Sequence, residues 1–364
     1  MKRQSTLSGF FKVSRPPPRI HFCLDVDSMV ASFVSAPPKG YARLGEARVK
    51  GVGQGSNQAY LEVWRGGEAV ASTPMTPKPR VTDVPLLMSN LQKSVRRGKQ
   101  ESAALTANEL AHCSGGFVLL CRRLLVIAME DVHEHTGRPA DRDLVTLAWL
   151  MLALQCGHKP TSGDAHWLMR YAWSLAGHGI DEARPTFGAV PDGESVEVRG
   201  DGKRQKVGKS CDWQAADERG DHVAMALLIR AAHGGMKCDV EMLKAQAKRD
   251  HTAAAAIVRK NAAFPFTGAS RLGRDLVLLE SVDFHIDSKL SAKIGGRAKV
   301  VPAEVEDMLW HFSSKINRRL AEAGEKGTPE RGMGSPDAES LWLSMIPHVR
   351  SLQSERIDRA FKLL

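Results

Sequence analysis

Two short runs place acids two or four residues apart, spacings at which an extended chain turns both side chains to one face. In IHFCLDVDSMVASF (20–33) they are Asp25 and Asp27, and in SVDFHIDSKL (281–290) they are Asp283 and Asp287, with His285 between them. Paired carboxylates on one face can hold a divalent cation for nucleotidyl transfer or nuclease chemistry. A His in the same row can add a ligand or a general base. The same residues also suit the wet face of an edge strand, and neither run brings further ligands. Arg271 and Arg274 stand close enough in sequence to the second run to be candidate partners for its acids. Mg²⁺ is expected only if one of these runs is catalytic; otherwise no cofactor is expected.

A different chemistry lies in QSTLSGFF (4–11). Leu7, Phe10 and Phe11 are spaced i, i+3, i+4, so one turn of 3₁₀ or α-helix puts all three on one side. They form a three-pronged apolar plug for a preformed groove, a miniature of helix-in-groove recognition. Two aromatics bring much apolar area for few rotatable bonds. Gln4 adds an amide that both donates and accepts. Lys2, Arg3, Lys12, Arg15 and Arg19 flank the plug without an acid among residues 1–20, and Pro16, Pro17 and Pro18 follow as an extended spacer. The five charges suit an acidic docking surface.

Gln4, Leu7, Phe10 and Phe11 fill the four fixed places of Q-x-x-aliphatic-x-x-aromatic-aromatic. The octet resembles the sliding-clamp-binding peptide (PIP box) of eukaryotic and archaeal replication and repair proteins. That resemblance implies the sliding clamp (PCNA) as partner, with the four residues as its clamp-binding set. It also implies a nuclear location.

Composition agrees with such a setting. The chain has 364 residues, 43% hydrophobic, with a net charge of +10, and five of those charges lie in the first twenty residues. The length accommodates one large or two ordinary domains. The basic balance favours an acidic partner such as nucleic acid. Six cysteines, at 23, 113, 121, 156, 211 and 238, form no C-x-x-C pair. They read as reduced, buried thiols rather than a zinc site. The longest apolar run, LVTLAWLMLAL (144–154), is about half of a membrane span, so no membrane partner is expected.

The expected fold is mainly α. Residues 1–19 read as a disordered tail, 20–72 as a small β-containing segment (IHFCLDVDSMVASFV, NQAYLEVW), and 73–85, with four prolines, as a linker. From Leu86 to residue 301 the spacing predicts a helical domain: LLMSNLQKSVRR, ESAALTANELAHC, FVLLCRRLLVIAMEDV, DLVTLAWLMLAL, HWLMRYAWSLAG and DERGDHVAMALLIRAA recur at helical period. Residues 179–212 interrupt it as an exposed insertion, and residues 264–287 are expected to include extended pieces. Residues 302–364 read as C-terminal helices split by a Gly-rich loop. The tryptophans at 149, 167, 173, 213, 310 and 342 fall on apolar stripes and read as core.

LQKSVRRGKQESAAL (91–105) and CRRLLVIAMEDV (121–132) are similar to the C-terminal collar region of clamp-loader-like AAA+ ATPases, closest to the MgsA/RarA/Werner-helicase-interacting family. The matching positions are Leu91, Arg97, Gly98, Ala104, Arg122, Arg123, Leu124, Ala128, Glu130 and Asp131. The resemblance, extending to about residue 154, implies a helical oligomerisation or scaffold body. Residues 1–85 carry no phosphate loop, so the expected body is one without that family's ATPase module. GKRQKVGKS (202–210) has five residues between its glycines where a phosphate loop has four, and no strand leads into it. Arg199, Lys203, Arg204, Lys206 and Lys209 read instead as a solvated basic loop able to touch phosphates.

The run at 20–33 also resembles the first metal-binding strand of translesion (Y-family) polymerases, but the second acidic strand that family requires is absent. The expectation is therefore a non-enzymatic clamp-binding adaptor of DNA replication or repair. Its helical body would contact DNA, replication proteins or a second copy. The alternative is a clamp-tethered, metal-dependent nuclease or nucleotidyl transferase.

Overall fold

The computed structural model describes residues 19–50, 58–66, 75, 79–133, 142–178, 213–249, 251, 264–282, 292–296 and 336–362. These residues are mainly α, with one small sheet near the start of the sequence. They divide into two compact units. One draws on Met1–Val70, Pro139–Lys159 and Val198–Ala256, the other on Ala71–Arg138, Pro160–Glu197 and Ile257–Leu364. The segments expected from sequence are contiguous along the chain; these units are not. The physical reason lies in the helix Asp143–Gln155 described below, whose surface is apolar all round.

In the first unit, β1 (Arg19–Asp25), β2 (Val30–Val34), β3 (Ala42–Lys50) and β4 (Gln58–Gly66) form a sheet of order β2-β1-β4-β3. β1 runs parallel to β4, and the other pairs are antiparallel. Strict alternation sorts the side chains. Ile20, Phe22, Leu24, Ala31, Phe33, Ala47, Val49, Ala59, Leu61 and Val63 are all buried on one face. Phe22 and Phe33, opposite each other in register, stack at 4.0 Å. The run 20–34 has the pattern of a single strand-like piece. The structure breaks it at residues 26–29, where Met29 adopts φ 52°.

Three further helices of this unit are α4 (Asp143–Gln155), α6 (Trp213–Glu218) and α7 (His222–Ala232), with α8 (Lys237–Gln246) beyond them. Every residue of α4 from Leu144 to Ala153 is buried. A helix apolar on all sides must be covered on all sides, and here the sheet and α7 both pack on it. Two polar atoms fix its place. The Trp149 indole N–H donates to the carbonyls of Phe22 and Trp64, each at 3.1 Å. The Thr146 hydroxyl accepts from the Ala31 N–H at 3.2 Å and donates to the Met29 carbonyl at 3.1 Å, so it pairs the outer edge of β2 as a strand would. Gly45 lets the helix end approach β3, since a Cβ there would stand 3.0 Å from that of Cys156. DERGDHVAMALLIRAA, read as one helix, is two. Gly220 (φ 65°) closes α6, and Asp221 caps α7 by accepting from the Ala224 N–H at 2.9 Å.

The second unit stacks α1 (Val84–Arg96), α2 (Gln100–His112), α3 (Gly116–Ile127) and α5 (Ser162–Ala176). Asp83 caps α1, with Pro85 in its first turn. Gly98, at φ 65°, ends it: the Lys99 N–H reaches the Ser94 carbonyl at 2.9 Å and the Gly98 N–H reaches Val95 at 3.1 Å. That is a Schellman closure. Thr161 and Asp164 form a reciprocal capping box on α5. α3 runs into a π-helical turn, Ala128–His133. Residues 264–282 cross α1 and α2 as irregular chain with two 3₁₀ turns, Arg274–Leu276 and Leu279–Ser281. The last helix is α9 (Pro336–Lys362). No helix among the described residues is long and apolar enough to cross a membrane.

Candidate functional site

Most residues singled out from sequence lie outside the described ones. These are the clamp-binding set Gln4, Leu7, Phe10 and Phe11, the basic loop Arg199, Lys203, Arg204, Lys206 and Lys209, and the cluster Asp283, His285 and Asp287. Arg274, a candidate partner for that cluster, ion-pairs with Asp358 of α9 and donates to the Ser354 hydroxyl at 2.9 Å.

Asp25 and Asp27 are described, and they do not share a strand face. Asp25 ends β1, and its Oδ1 accepts from the backbone N–H groups of Asp27 (2.9 Å) and Ser28 (3.3 Å). That turn takes Asp27 out of the strand and into solvent. A short acidic side chain competing for nearby backbone donors is a common way to end a strand. The carboxylate that would grip a cation is thereby committed to its own hairpin. Among the described residues, no group of three or more His, Cys, Asp and Glu side chains could hold a metal ion.

The collar-like positions serve packing. Leu91, Ala104 and Leu124 are fully buried, and Ala128 nearly so. Glu130 and Asp131 lie on the π-helical turn and reach α1, where Arg96 pairs with both and the Gln92 amide donates to both. The two acids thereby bridge the end of α3 to the neighbouring helix α1. Asp131 is buried and Arg96 nearly so, an arrangement that fixes one helix against another but is expensive to break.

The second face of the sheet, opposite the one that holds Phe22 and Leu61, gathers aromatic and charged side chains. Tyr60, Glu62 and Trp64 alternate along β4 with buried Leu61 and Val63, while β1 adds His21 and Cys23. From β3, Arg43 stands opposite Trp64 and Arg48 opposite Tyr60. Beyond β4's last residue pair, the Tyr41 ring lies over Gly66, where a Cβ would fall 2.1 Å from it.

Charges on this face are ordered. Glu62, largely buried, sits 3.2 Å from His21 Nδ1 and 3.5 Å from the Arg43 guanidinium. The Arg48 guanidinium lies 5.3 Å above the centre of the Tyr60 ring, a cation–π contact. His21 meets Trp64 edge-on at 6.0 Å. Cys23 is no nucleophile: burial pushes its thiol up to about 11, so it stays protonated at neutral pH. Burial likewise raises Cys113 to about 11 and Cys121 further still, as expected for inert core thiols.

Trp149, Trp167 and Trp213 are buried, as expected for core residues. Trp173 is half-buried in a group with Phe264 and Phe266, whose rings interlock edge-to-face. A cavity of about 530 Å³ lies between Arg274–Leu279 and α9, and Arg274 at its rim is already engaged by Asp358. The Tyr60–Trp64 row went unassigned in the sequence, although NQAYLEVW reads as a strand. The available signal was the alternation itself, which puts aromatic and charged side chains on one face and aliphatic ones on the other. No protein-family model, curated protein or solved structure matches the chain.

Proposed function

We propose that this protein is a non-enzymatic adaptor of DNA replication or repair that docks on the sliding clamp through residues 4–11. The observation that carries the reading is the octet QSTLSGFF, in which Gln4, Leu7, Phe10 and Phe11 occupy the positions a one-turn plug requires. The basic frame supports it, because five cations without an acid steer the segment to an acidic surface and speed encounter. Phe10 and Phe11 supply most of the affinity, Leu7 completes the plug, and Gln4 sets its register by hydrogen bonding beside it. The body then acts as the cargo end, contacting DNA or other replication proteins in the nucleus. The commitment of Asp25 to its own turn favours the adaptor over a clamp-tethered metal enzyme.

Calorimetry with the clamp tests this on a peptide of residues 1–20 and on the full chain. Each aromatic anchor is worth about 2 kcal/mol, so Phe10→Ala with Phe11→Ala costs roughly a thousandfold in affinity. A wild-type peptide that fails to bind the clamp removes the base of the proposal. Mg²⁺-dependent turnover of DNA that disappears in Asp25→Ala would replace the adaptor with the enzyme.

A further inference from the structure

A four-stranded sheet covered by helices on one face has a second face to account for. Here that face carries aromatic rings where a solvated face usually carries short polar residues. Tyr60 and Trp64 lie four residues apart on one strand, hence on the same side and about 13 Å apart. Both are half-buried: each keeps part of its ring accessible, while the Trp64 indole nitrogen is shielded. Each is matched across the ladder by an exposed arginine, Arg48 beside Tyr60 and Arg43 beside Trp64, the latter with 45% of its side chain accessible.

Two acids lie between the rings, Glu62 and, opposite it on β3, Glu46; Arg43 pairs with both, at 3.5 Å and 3.9 Å, and His21 lies 3.2 Å from Glu62. The Arg48–Tyr60 contact shows that the face already accepts a flat cation stacked on an aromatic ring. A planar base can lie on either partner of that pair, since nucleobases stack on guanidinium planes as well as on aromatic side chains. Rings with cations beside them are the recurring means of holding unpaired bases without reading their sequence.

We propose that this face binds single-stranded nucleic acid. One base stacks on Trp64, another stacks on the Arg48–Tyr60 pair, and the two guanidinium groups meet the phosphates between them. A duplex is the wrong partner, because its base faces are already stacked on one another. Arg43 has a double duty: it pairs with Glu62 and Glu46 when the face is empty and turns to phosphate when it is filled. His21, edge-on to Trp64, sets the angle of the indole. The site is separate from the clamp-binding octet in its residues and in its chemistry.

Fluorescence anisotropy tests the proposal with the full chain and labelled oligo-dT, oligo-U and a mixed-sequence duplex of equal length. Both single strands are expected to bind more tightly than the duplex. Trp64→Ala is expected to weaken single-strand binding tenfold or more, the range seen when a stacking residue is removed. Trp64→Phe keeps a stacking face and is expected to recover most of it. Arg48→Ala is expected to lower the salt slope by about 0.7, the amount for one phosphate contact on a single strand. Phe10→Ala with Phe11→Ala is expected to leave these affinities unchanged, so failure of clamp docking and failure of this site are told apart. Circular dichroism confirms that each variant is folded. The proposal is overturned if the wild-type chain prefers duplex or binds no single strand, or if folded Trp64→Ala and Arg48→Ala bind like wild type. Preference for a peptide over either strand in the same competition overturns it as well.

Discussion

The two units hide polar backbone in opposite ways. The sheet unit buries a helix that is greasy on every side and secures it with two side-chain atoms, the Trp149 indole N–H and the Thr146 hydroxyl. The helical unit buries a length of irregular chain, residues 264–282, and secures it with a row of polar side chains. Asn90 lies at its centre. Its amide N–H groups reach Thr106 at 2.7 Å and Ser102 at 3.2 Å, and its carbonyl accepts from the Leu278 N–H at 2.9 Å and the Ser281 hydroxyl at 2.8 Å. Ser102 donates to the Leu276 carbonyl at 2.6 Å, and Asn108 to that of Ser270 at 2.8 Å. The buried Glu109 accepts from the Arg80 N–H at 2.7 Å and the Leu272 N–H at 3.4 Å. The contrast teaches where specificity comes from. Apolar burial tells α4 to be inside but little about its rotation, so a few polar atoms decide that. In the other unit an irregular backbone has no ladder of its own, and side chains must satisfy it group by group.

The largest effect is expected where shape and hydrogen bonding coincide. Trp149→Ala removes the biggest fully buried side chain among the described residues and leaves a cavity under the sheet, at a cost of about 4 kcal/mol. Trp149→Phe keeps most of the volume but strands the two carbonyl contacts, at about 1 kcal/mol. Amide hydrogen exchange should show protection falling most in β1 and β4. If Trp149→Phe costs as much as Trp149→Ala, then the indole N–H, not burial, holds α4, and the contrast between the units collapses.

Next comes Asn90→Ala, which orphans the Leu278 N–H and the Ser281 hydroxyl in a buried site. Leaving buried groups unpaired costs about 1–3 kcal/mol each, so a total of about 3 kcal/mol is expected in urea unfolding. Exchange should quicken first at residues 276–282 while the sheet strands are spared. Protection lost equally in the sheet would show that the polar row is not specific to the helical unit.

These residues also mark what could be read in the sequence. The helices α1, α2, α3, α4, α5 and α7 follow from their period, and the caps at Asp83, Gly98 and Thr161 from residue type, because these are local preferences. β4 shows plainly as NQAYLEVW. β3 does not, since Gly45, Glu46 and a register shift between Arg43 and Gly45 break its alternation. Residues 264–282 are opaque because their hydrogen-bond partners, Asn90 and Glu109, lie more than 160 positions away in sequence. α4 is legible as a helix and illegible as to neighbours: an all-apolar surface names no preferred side. Asp25 and Asp27 looked like a same-face pair only on the assumption of a continuous strand. Asp25's own hydrogen bonds to the turn remove that assumption. The Tyr60–Trp64 row depends on knowing that one sheet face is covered, which no single strand reveals.

The smallest expected effect is a pH dependence in the sheet unit. His222 opens α7 and packs edge-on against Phe33 at 5.4 Å. Burial holds its pKa below the usual 6.5, outweighing the pull of Asp221 and Asp217 toward the charged form, while Arg142 pushes the same way as burial. The folded state therefore favours neutral imidazole, whereas the unfolded chain takes up a proton near 6.5. Between those two values the unfolded state binds more protons, so stability rises with pH there. His222 contributes no penalty above about 6.5 and a growing one as pH falls from 6.5 toward the depressed folded value, below which the penalty levels off. His166 in the helical unit is lowered by burial and by Arg170, and acts in the same direction. Urea midpoints measured from pH 7.5 to 5 should fall for the wild type and fall less for His222→Leu, with a residual slope from His166. The local signature is sharper than the global one. Exchange at Phe33 and in the first turn of α7 should quicken on acidification in the wild type and stay level in His222→Leu. An identical acid response in the two proteins would show that His222 is protonated in place, and that the contact with Phe33 does not depend on its charge.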